Sequence, residues 1–158
     1  METSRKISES QITMTELVLP NHTNQLGKLL GGQLMHWIDI CAAICASRHN
    51  YRVCVTASVD KIDFIHSINL GDTVTLVSSI NRVFNSSMEV GVKVFAESFK
   101  EGKRIHSNTA YLTFVSVDIN GKPVKAIQAL AETSEEKRRY EEALQRRENR
   151  LKDRNKTN

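Results

Sequence analysis

The amino-acid sequence predicts an α+β domain in which one long apolar helix lies against a curved antiparallel sheet of about five to six strands. The first observation is an apolar run of helical length over residues 33–46. The second is a series of later segments in which apolar and polar residues alternate with a period of two. The third is a charged C-terminal segment, which predicts a second helix. A chain of 158 residues suffices for one domain with a buried core.

The long helix is predicted over residues 31–50. Between residues 33 and 46 the only strongly polar side chains are Gln33, His36 and Asp39. A helix that is apolar nearly all round belongs in a protein core. A membrane span is the competing interpretation, but the apolar stretch is short and its middle carries a carboxylate that a bilayer penalises. We therefore expect a core helix and no membrane span.

The segments after the helix are rich in Val, Thr, Ile and aromatic residues, which favour strands. Dipeptides that contain glycine or asparagine, which are typical of turns, separate these segments at short intervals. Neighbouring strands are therefore expected to pair antiparallel. One further alternating run precedes the helix and predicts another strand. The predicted strands are Gln11–Leu19, Val53–Ile65, Thr73–Val83, Ser87–Phe99 and His106–Val117.

The C-terminal helix is predicted from a capping box in which Thr133 is followed three residues later by Glu136. Residues 134–158 carry nine Lys/Arg and six Asp/Glu, so three of the four net positive charges belong to this segment. The nearly neutral body has a weak electrostatic footprint for nucleic acid, and we expect no nucleic-acid partner. The helix has a thin apolar stripe and is predicted to lie mostly in water.

We expect three segments: a polar N-terminal segment (1–11), the folded domain (12–132) and the charged C-terminal helix and tail (133–158). The first segment has no apolar run of the kind found in a signal peptide. The three cysteines cannot all pair, and they do not resemble a disulfide framework. These observations predict a cytoplasmic protein.

Three polar or flexible positions interrupt the pattern around the helix. Asp39, flanked by apolar residues, is expected to lose hydration, which raises the basicity of a carboxylate; a salt-bridged structural aspartate is the alternative. Gly31 and Gly32 allow close approach to free N–H groups at a helix start, or form an ordinary turn. Asn24 lies in the preceding loop, where its amide either binds a ligand or bonds its own backbone.

The spacing of these residues constrains any shared site. Gly31 and Asp39 are eight residues apart, about 12 Å along a helix at 1.5 Å per residue. One small reacting group cannot touch both in the same chain. Either they serve different purposes, or an antiparallel helix from a second protomer brings its Asp39 to this Gly31. The second arrangement predicts two sites at a C2 dimer interface.

The pattern N-x-x-G-x-x-x-G-G-x-x-x-x-x-x-D, formed by Asn24, Gly27, Gly31, Gly32 and Asp39, resembles the active-site segment of hotdog-fold acyl-CoA thioesterases. It is most similar to the cytosolic acyl-CoA hydrolase branch, which includes the bacterial YciA-type and the brain-type enzymes. The resemblance extends in the same order over residues 12–135. The other matching segments are Thr56–Val74, Asn85–Glu97 and Ala110–Val124.

The resemblance implies hydrolysis of acyl-CoA thioesters to free acid and coenzyme A by a homo-oligomer, a dimer or a hexamer built as a trimer of dimers. It assigns the catalytic amide to Asn24, the catalytic carboxylate to Asp39 of the opposite protomer, and the N–H that polarises the thioester carbonyl to Gly31 or Gly32. No metal or cofactor is expected, because thiolate is a good leaving group and coenzyme A is part of the substrate.

The coenzyme A phosphates are expected to need basic and hydroxyl groups. Arg82, Ser86 and Ser87, beside a predicted hairpin turn, are the candidate substrate-binding residues, and a solvated turn is an equally good interpretation. Asp39 could act as general base or as nucleophile, and the sequence does not distinguish these routes. Two alternatives keep the fold: a non-catalytic acyl-CoA-binding regulator, or a hotdog dehydratase, which would use a histidine.

Overall fold

The computed structural model describes residues 2–158, which form two α-helices, seven strands and two short 3₁₀ helices. The elements are β1 (Ser4–Lys6), β2 (Ile12–Leu17), α1 (Gly31–Asn50), β3 (Cys54–Val59), β4 (Thr73–Val83), β5 (Ser87–Ser98), β6 (Lys103–Ser116), β7 (Gln128–Leu130) and α2 (Ser134–Lys156); the 3₁₀ helices are Ile7–Glu9 and Pro20–His22. Five strands form one antiparallel sheet in the order β2-β4-β5-β6-β3, and β1 and β7 form a small parallel pair. Within residues 2–158, no helix is both long and apolar enough to cross a bilayer.

The core lies between α1 and one face of the five-stranded sheet. On β4 the side chains of Val74, Leu76 and Ile80 are fully buried, and on β5 the apolar residues at even-numbered positions are buried as well. The hydroxyl of Ser78 donates to the carbonyl of Cys41 at 2.9 Å, which places this face of β4 against α1. Burial of this apolar cluster is the main driving force for the fold.

The long helix is confirmed from Gly31 to Asn50, but the expectation of burial all round is wrong. His36, Ile40 and Ile44 are exposed along one side of α1 in the single chain. This side faces away from the sheet, because the buried residues of α1 occupy the opposite side. Apolar residues therefore lie on both sides of α1, and the chain alone covers only one.

The predicted strand Thr73–Val83 is confirmed, and the strand predicted over Val53–Ile65 is too long. It ends at Val59, and an irregular segment follows, residues 60–67, which we call the β3 loop. β1 and β7 were not predicted. Each has three residues and pairs only with the other, so neither has a periodic pattern long enough to recognise.

The opposite face of the sheet packs against α2. Glu89 on β5 is fully buried there, although the period-two pattern places it on the polar side of the strand. Its carboxylate forms a bidentate ion pair with the Arg146 guanidinium, in which the shortest N–O distance is 2.7 Å. Arg150 donates a further contact to the same carboxylate at 3.1 Å. The predicted helix is confirmed, while the expectation that it lies mostly in water is wrong for the face that carries these arginines.

Candidate active site

Asn24 lies in the loop before α1, and its side chain holds a tight turn. Its Oδ1 accepts the backbone N–H groups of Leu26 at 2.9 Å and Lys28 at 3.1 Å. The turn needs Gly27, whose φ of 69° is unfavourable for any residue with a Cβ. Among residues 2–158 the Nδ2 group has no hydrogen-bond partner, so the amide is fixed with its donor available.

Gly31 and Gly32 are the first two residues of α1, as predicted. Leu30 occupies the N-cap position and its side chain cannot cap the helix. Within the described part of the chain the N–H groups of Gly31 and Gly32 have no acceptor, whereas those of Gln33 and Leu34 both bond the Leu30 carbonyl. The helix therefore presents two free donors at its positive end, an arrangement suited to an oxyanion or a polarised carbonyl.

Asp39 lies in the middle of α1 and is half-buried, so its expected desolvation is incomplete in the single chain. Its Oδ1 accepts a hydrogen bond of 2.7 Å from the hydroxyl of Thr56. Thr56 is opposite the buried Phe114 in the β3–β6 ladder and so faces α1, and a β-bulge follows it between Thr56 and Ser58. Bulges commonly redirect side chains beside functional sites.

The structure does not bring all the candidates together within one chain. Asn24 and the two glycines lie in and just after one loop, whereas Asp39 is two turns further along a continuous helix. Its separation from Gly31 is about 12 Å at the standard helical rise. The single chain therefore has two candidate half-sites, one with hydrogen-bond donors and one with a carboxylate held by a hydroxyl.

The carboxylate half-site lies on a surface that the single chain leaves uncovered, which we call the open face. It combines the exposed side of α1 with the edge strand β3, whose one neighbour among residues 2–158 is β6. Its apolar members include Ile40, Ile44 and Val59, all exposed. A free strand edge beside apolar side chains is a typical surface for association with another chain.

The three candidates for binding the coenzyme A phosphates lie elsewhere, around the β4–β5 hairpin. Arg82 donates to the carbonyl of Tyr140 in α2 at 3.2 Å and stacks on the Tyr140 ring at 4.1 Å. The hydroxyl of Ser87 accepts a 3.1 Å hydrogen bond from Arg147, and Ser86 contributes only its carbonyl. The structure does not bring them to Asn24 or Asp39 of the same chain, and their role stays a prediction.

The cysteines are poor candidates for nucleophiles. Cys41, Cys45 and Cys54 are free and buried. Burial raises the pKa of Cys45 to about 12 and that of Cys54 to about 11, so both remain thiols at neutral pH. Within residues 2–158 no group of three or more His, Cys, Asp and Glu side chains is arranged to hold a metal ion.

Residues 26–103 match the profile of the Thioesterase superfamily. The chain is 45% identical over 148 residues to the Bacillus subtilis protein named "Uncharacterized acyl-CoA thioester hydrolase YkhA", covering 92% of this chain and 86% of that protein. The chain belongs to the thioesterase superfamily, among its acyl-CoA hydrolases. The resemblance inferred from the Asn24–Asp39 segment is confirmed at the level of the family.

Solved structures of thioesterases share the fold over nearly the whole chain. An apo-hexameric acyl-CoA thioesterase has a TM-score of 0.91 and 40% identity, covering 95% of this chain and 96% of that one. An acyl-CoA hydrolase from Staphylococcus aureus, solved with butyryl coenzyme A, coenzyme A and coenzyme A disulfide, has a TM-score of 0.90 and 36% identity over 98% and 94% of the two chains. The predicted hotdog fold is confirmed.

The S. aureus thioesterase has also been solved with an aspartate, an asparagine and a threonine each replaced by alanine. In that protein the asparagine precedes the aspartate by 15 residues, and the aspartate precedes the threonine by 17. Thr56 of the present thioesterase was not among the predicted site residues. Threonine is common in strands, so its sequence position carries no signal, and only its contact with Asp39 distinguishes it.

Proposed function

We propose that this protein hydrolyses acyl-CoA thioesters at sites shared between two protomers. Asn24 and the N-terminus of α1 come from one protomer, and Asp39 with Thr56 comes from the other. The observation that carries the proposal is the Asp39–Thr56 pair on the open face, some two helical turns from the free N–H groups. Asn24, Asp39 and Thr56 also have the same 15- and 17-residue spacings as the three positions replaced in the S. aureus enzyme.

The exposed apolar residues of the open face support this dimer. A second copy that pairs along the free edge of β3 and lies antiparallel along α1 would cover Ile40 and Ile44 and bring each Asp39 toward the partner copy's glycine pair. Such a contact is isologous, so it closes after two copies and creates two equivalent sites. We propose the dimer as the minimal active unit and a trimer of dimers as the full assembly, in line with the hexameric thioesterases of this fold.

The reaction begins with recognition of the thioester carbonyl. The free N–H of Gly31 or Gly32 donates to the carbonyl oxygen, and this donor is already aligned where negative charge develops. Such a preorganised donor contributes about 3 kcal/mol to transition-state stabilisation in comparable sites. The Nδ2–H of Asn24 donates to the attacking water or to the same oxygen, because its Oδ1 is already occupied by the turn.

Asp39 supplies the base. Thr56 occupies Oδ1, which leaves Oδ2 to accept a proton from water as the water oxygen attacks the carbonyl carbon. The tetrahedral intermediate then collapses, the C–S bond breaks, and coenzyme A leaves as a thiolate that takes up the proton. Direct attack by Asp39 through a mixed anhydride uses the same contacts. Neither route needs a metal or a further cofactor, and we place the enzyme in the cytoplasm, where its buried free thiols stay reduced.

Thiol release from a panel of acyl-CoAs tests the proposal. Asp39→Ala is expected to lower kcat by about 10²–10⁴-fold because the general base is lost. Thr56→Ala should lower it about 10-fold through loss of a hydrogen bond to a charged group, and Thr56→Ser should restore most of that. Wild-type protein that binds coenzyme A yet hydrolyses none of the panel would contradict the enzyme assignment, and full activity of Asp39→Ala would contradict the mechanism.

A further inference from the structure

A cavity of about 130 Å³ lies between α2 and the face of the sheet that points away from α1. Its floor is formed where Ser79 of β4 lies opposite Gly91 of β5 in the ladder. A serine beside a glycine leaves space that larger side chains would fill. On the α2 side the wall is formed by Arg138, Arg139 and Glu142. The sheet therefore separates this cavity from the surface that carries the proposed active site.

Two buried polar groups of the cavity wall lack a hydrogen-bond partner. Ser79 is only 8% exposed, and its Oγ bonds no other atom of residues 2–158. The Nε–H of Arg139 is also buried, and it has no acceptor in the described part of the chain. Native proteins supply partners to nearly all buried donors, because an unpaired one loses its hydration without compensation. A hydroxyl and a guanidinium N–H that line one cavity can both donate to the same ligand.

The charges around the cavity favour an anionic ligand. Lys93, which also lines the cavity, and Arg139 share one carboxylate, that of Glu135, at 3.6 and 3.3 Å. Arg138 and Glu142 form an exposed pair at 2.9 Å. These five side chains carry three positive and two negative charges, so one positive charge is unbalanced beside the two unpaired donors. Such a site binds an oxyanion more favourably than a cation, since hydrogen bonds from a charged donor to an anion are strong.

We propose that this cavity is a binding site for one tetrahedral oxyanion, either free phosphate or the phosphoryl group of a larger molecule. The anion accepts the Ser79 Oγ–H and the Arg139 Nε–H, and Lys93 balances its charge. A water molecule takes about 30 Å³ of the liquid, so a cavity of about 130 Å³ admits an ion of the size of phosphate. Because the anion joins the sheet to α2, it binds the folded chain only and should raise its stability. The inference does not depend on the proposed thioesterase function.

Thermal unfolding of the full chain in increasing inorganic phosphate tests the site, with sodium chloride at the same ionic strength as the reference for screening. Wild type is expected to show a saturable rise in Tm that gives a Kd. Ser79→Ala and Arg139→Gln should each raise that Kd about 10-fold, because each removes a hydrogen bond to a charged group. The matched control, Arg154→Gln, removes the same charge from an exposed position of α2 and should leave the Kd unchanged. Phosphate also stabilises proteins by exclusion from their surface, and all the variants retain this effect.

A second series identifies the source of the anion. Inorganic phosphate represents the free ion, and ribose 5-phosphate represents a phosphoryl group carried by a larger molecule. Binding of either one, weakened in Ser79→Ala, supports the site. A Tm rise no larger in phosphate than in chloride, or one that is equal in wild type, Ser79→Ala and Arg139→Gln, would overturn the site and show that water pairs the two donors. Thiol release by Ser79→Ala should match wild type, so failure of the thioesterase assignment would leave this result intact.

Discussion

The two helices complete the two sides of the sheet in different ways. On the α2 side the contacts close within one chain: Glu89 is fully buried, and Arg146, Arg150 and the Asn81 amide all bond its carboxylate. On the α1 side the outer surface of the helix stays open, with Ile40, Ile44 and the β3 edge exposed. The charged contacts of α2 are complete within one chain, whereas the apolar side, which carries Asp39, is the surface that we propose two copies share.

The largest expected effect comes from a charge on the open face. Ile44→Glu should abolish dimerisation and with it nearly all thioesterase activity, because a carboxylate would be desolvated at the centre of an apolar contact. Light scattering coupled to gel filtration measures the mass, and thiol release measures activity. Leu151→Glu is the matched control: Leu151 on α2 is 44% exposed and Ile44 is 43% exposed. A fully active, monomeric Ile44→Glu would show that the open face is not needed for catalysis.

Variants on the α2 side of the sheet should change the free energy of unfolding rather than the activity. Arg146→Ala leaves Glu89 buried with fewer partners, and breaking such a pair costs about 3 kcal/mol. Denaturant unfolding should show this loss while folded protein keeps its dimer and most of its kcat. The control, Arg138→Ala, removes a helix-surface pair with Glu142 and should cost under about 0.5 kcal/mol. Equal losses for the two variants would mean that Glu89 does not depend on Arg146.

A smaller effect distinguishes the turn that holds Asn24, the proposed catalytic amide, from a turn with no proposed role in catalysis. Gly27 and Gly102 both have positive φ, 69° and 63°, so alanine at either position should cost about 1 kcal/mol of stability. Only Gly27→Ala should also lower kcat, because its turn fixes the Asn24 amide, whereas Gly102 lies in the β5–β6 hairpin. Thermal unfolding and thiol release together give both quantities. Equal kcat values for the two variants would separate the turn from catalysis.

The sequence predicts the features that come from long periodic segments. The range of α1 and that of the strand Thr73–Val83 follow from the hydrophobic pattern. The spacing between Gly31 and Asp39 already requires that these residues either serve different purposes or meet in one site from two different chains. Contacts distant in sequence are missed for physical reasons. The period of two places Glu89 on a polar surface, and only the docking of α2 buries it. Thr56 is an ordinary strand residue until β3 lies beside α1, and the strand predicted over Val53–Ile65 ends at Val59 because only the fold shows where its pairing with β6 stops.

Control mixtures of wild type with the double variant Asn24→Ala/Asp39→Ala separate shared sites from sites within a chain. If each site takes one group from each protomer, a dimer of wild type and double variant has no intact site. If each site lies within one chain, the same dimer keeps one. At equal expression, the shared arrangement therefore predicts about a quarter of the activity of all-wild-type protein, and the single-chain arrangement about half.

The most direct test of the shared site is complementation between two inactive chains. Asn24→Ala and Asp39→Ala are co-expressed in equal amounts, and thiol release is compared with each variant alone. Half of the dimers formed at random are mixed, and each mixed dimer has one site with both Asn24 and the partner copy's Asp39 intact. The expected result is recovery to about a quarter of wild-type activity. Activity no higher than that of the separate variants, in preparations shown to contain mixed dimers, would contradict an active site shared between protomers.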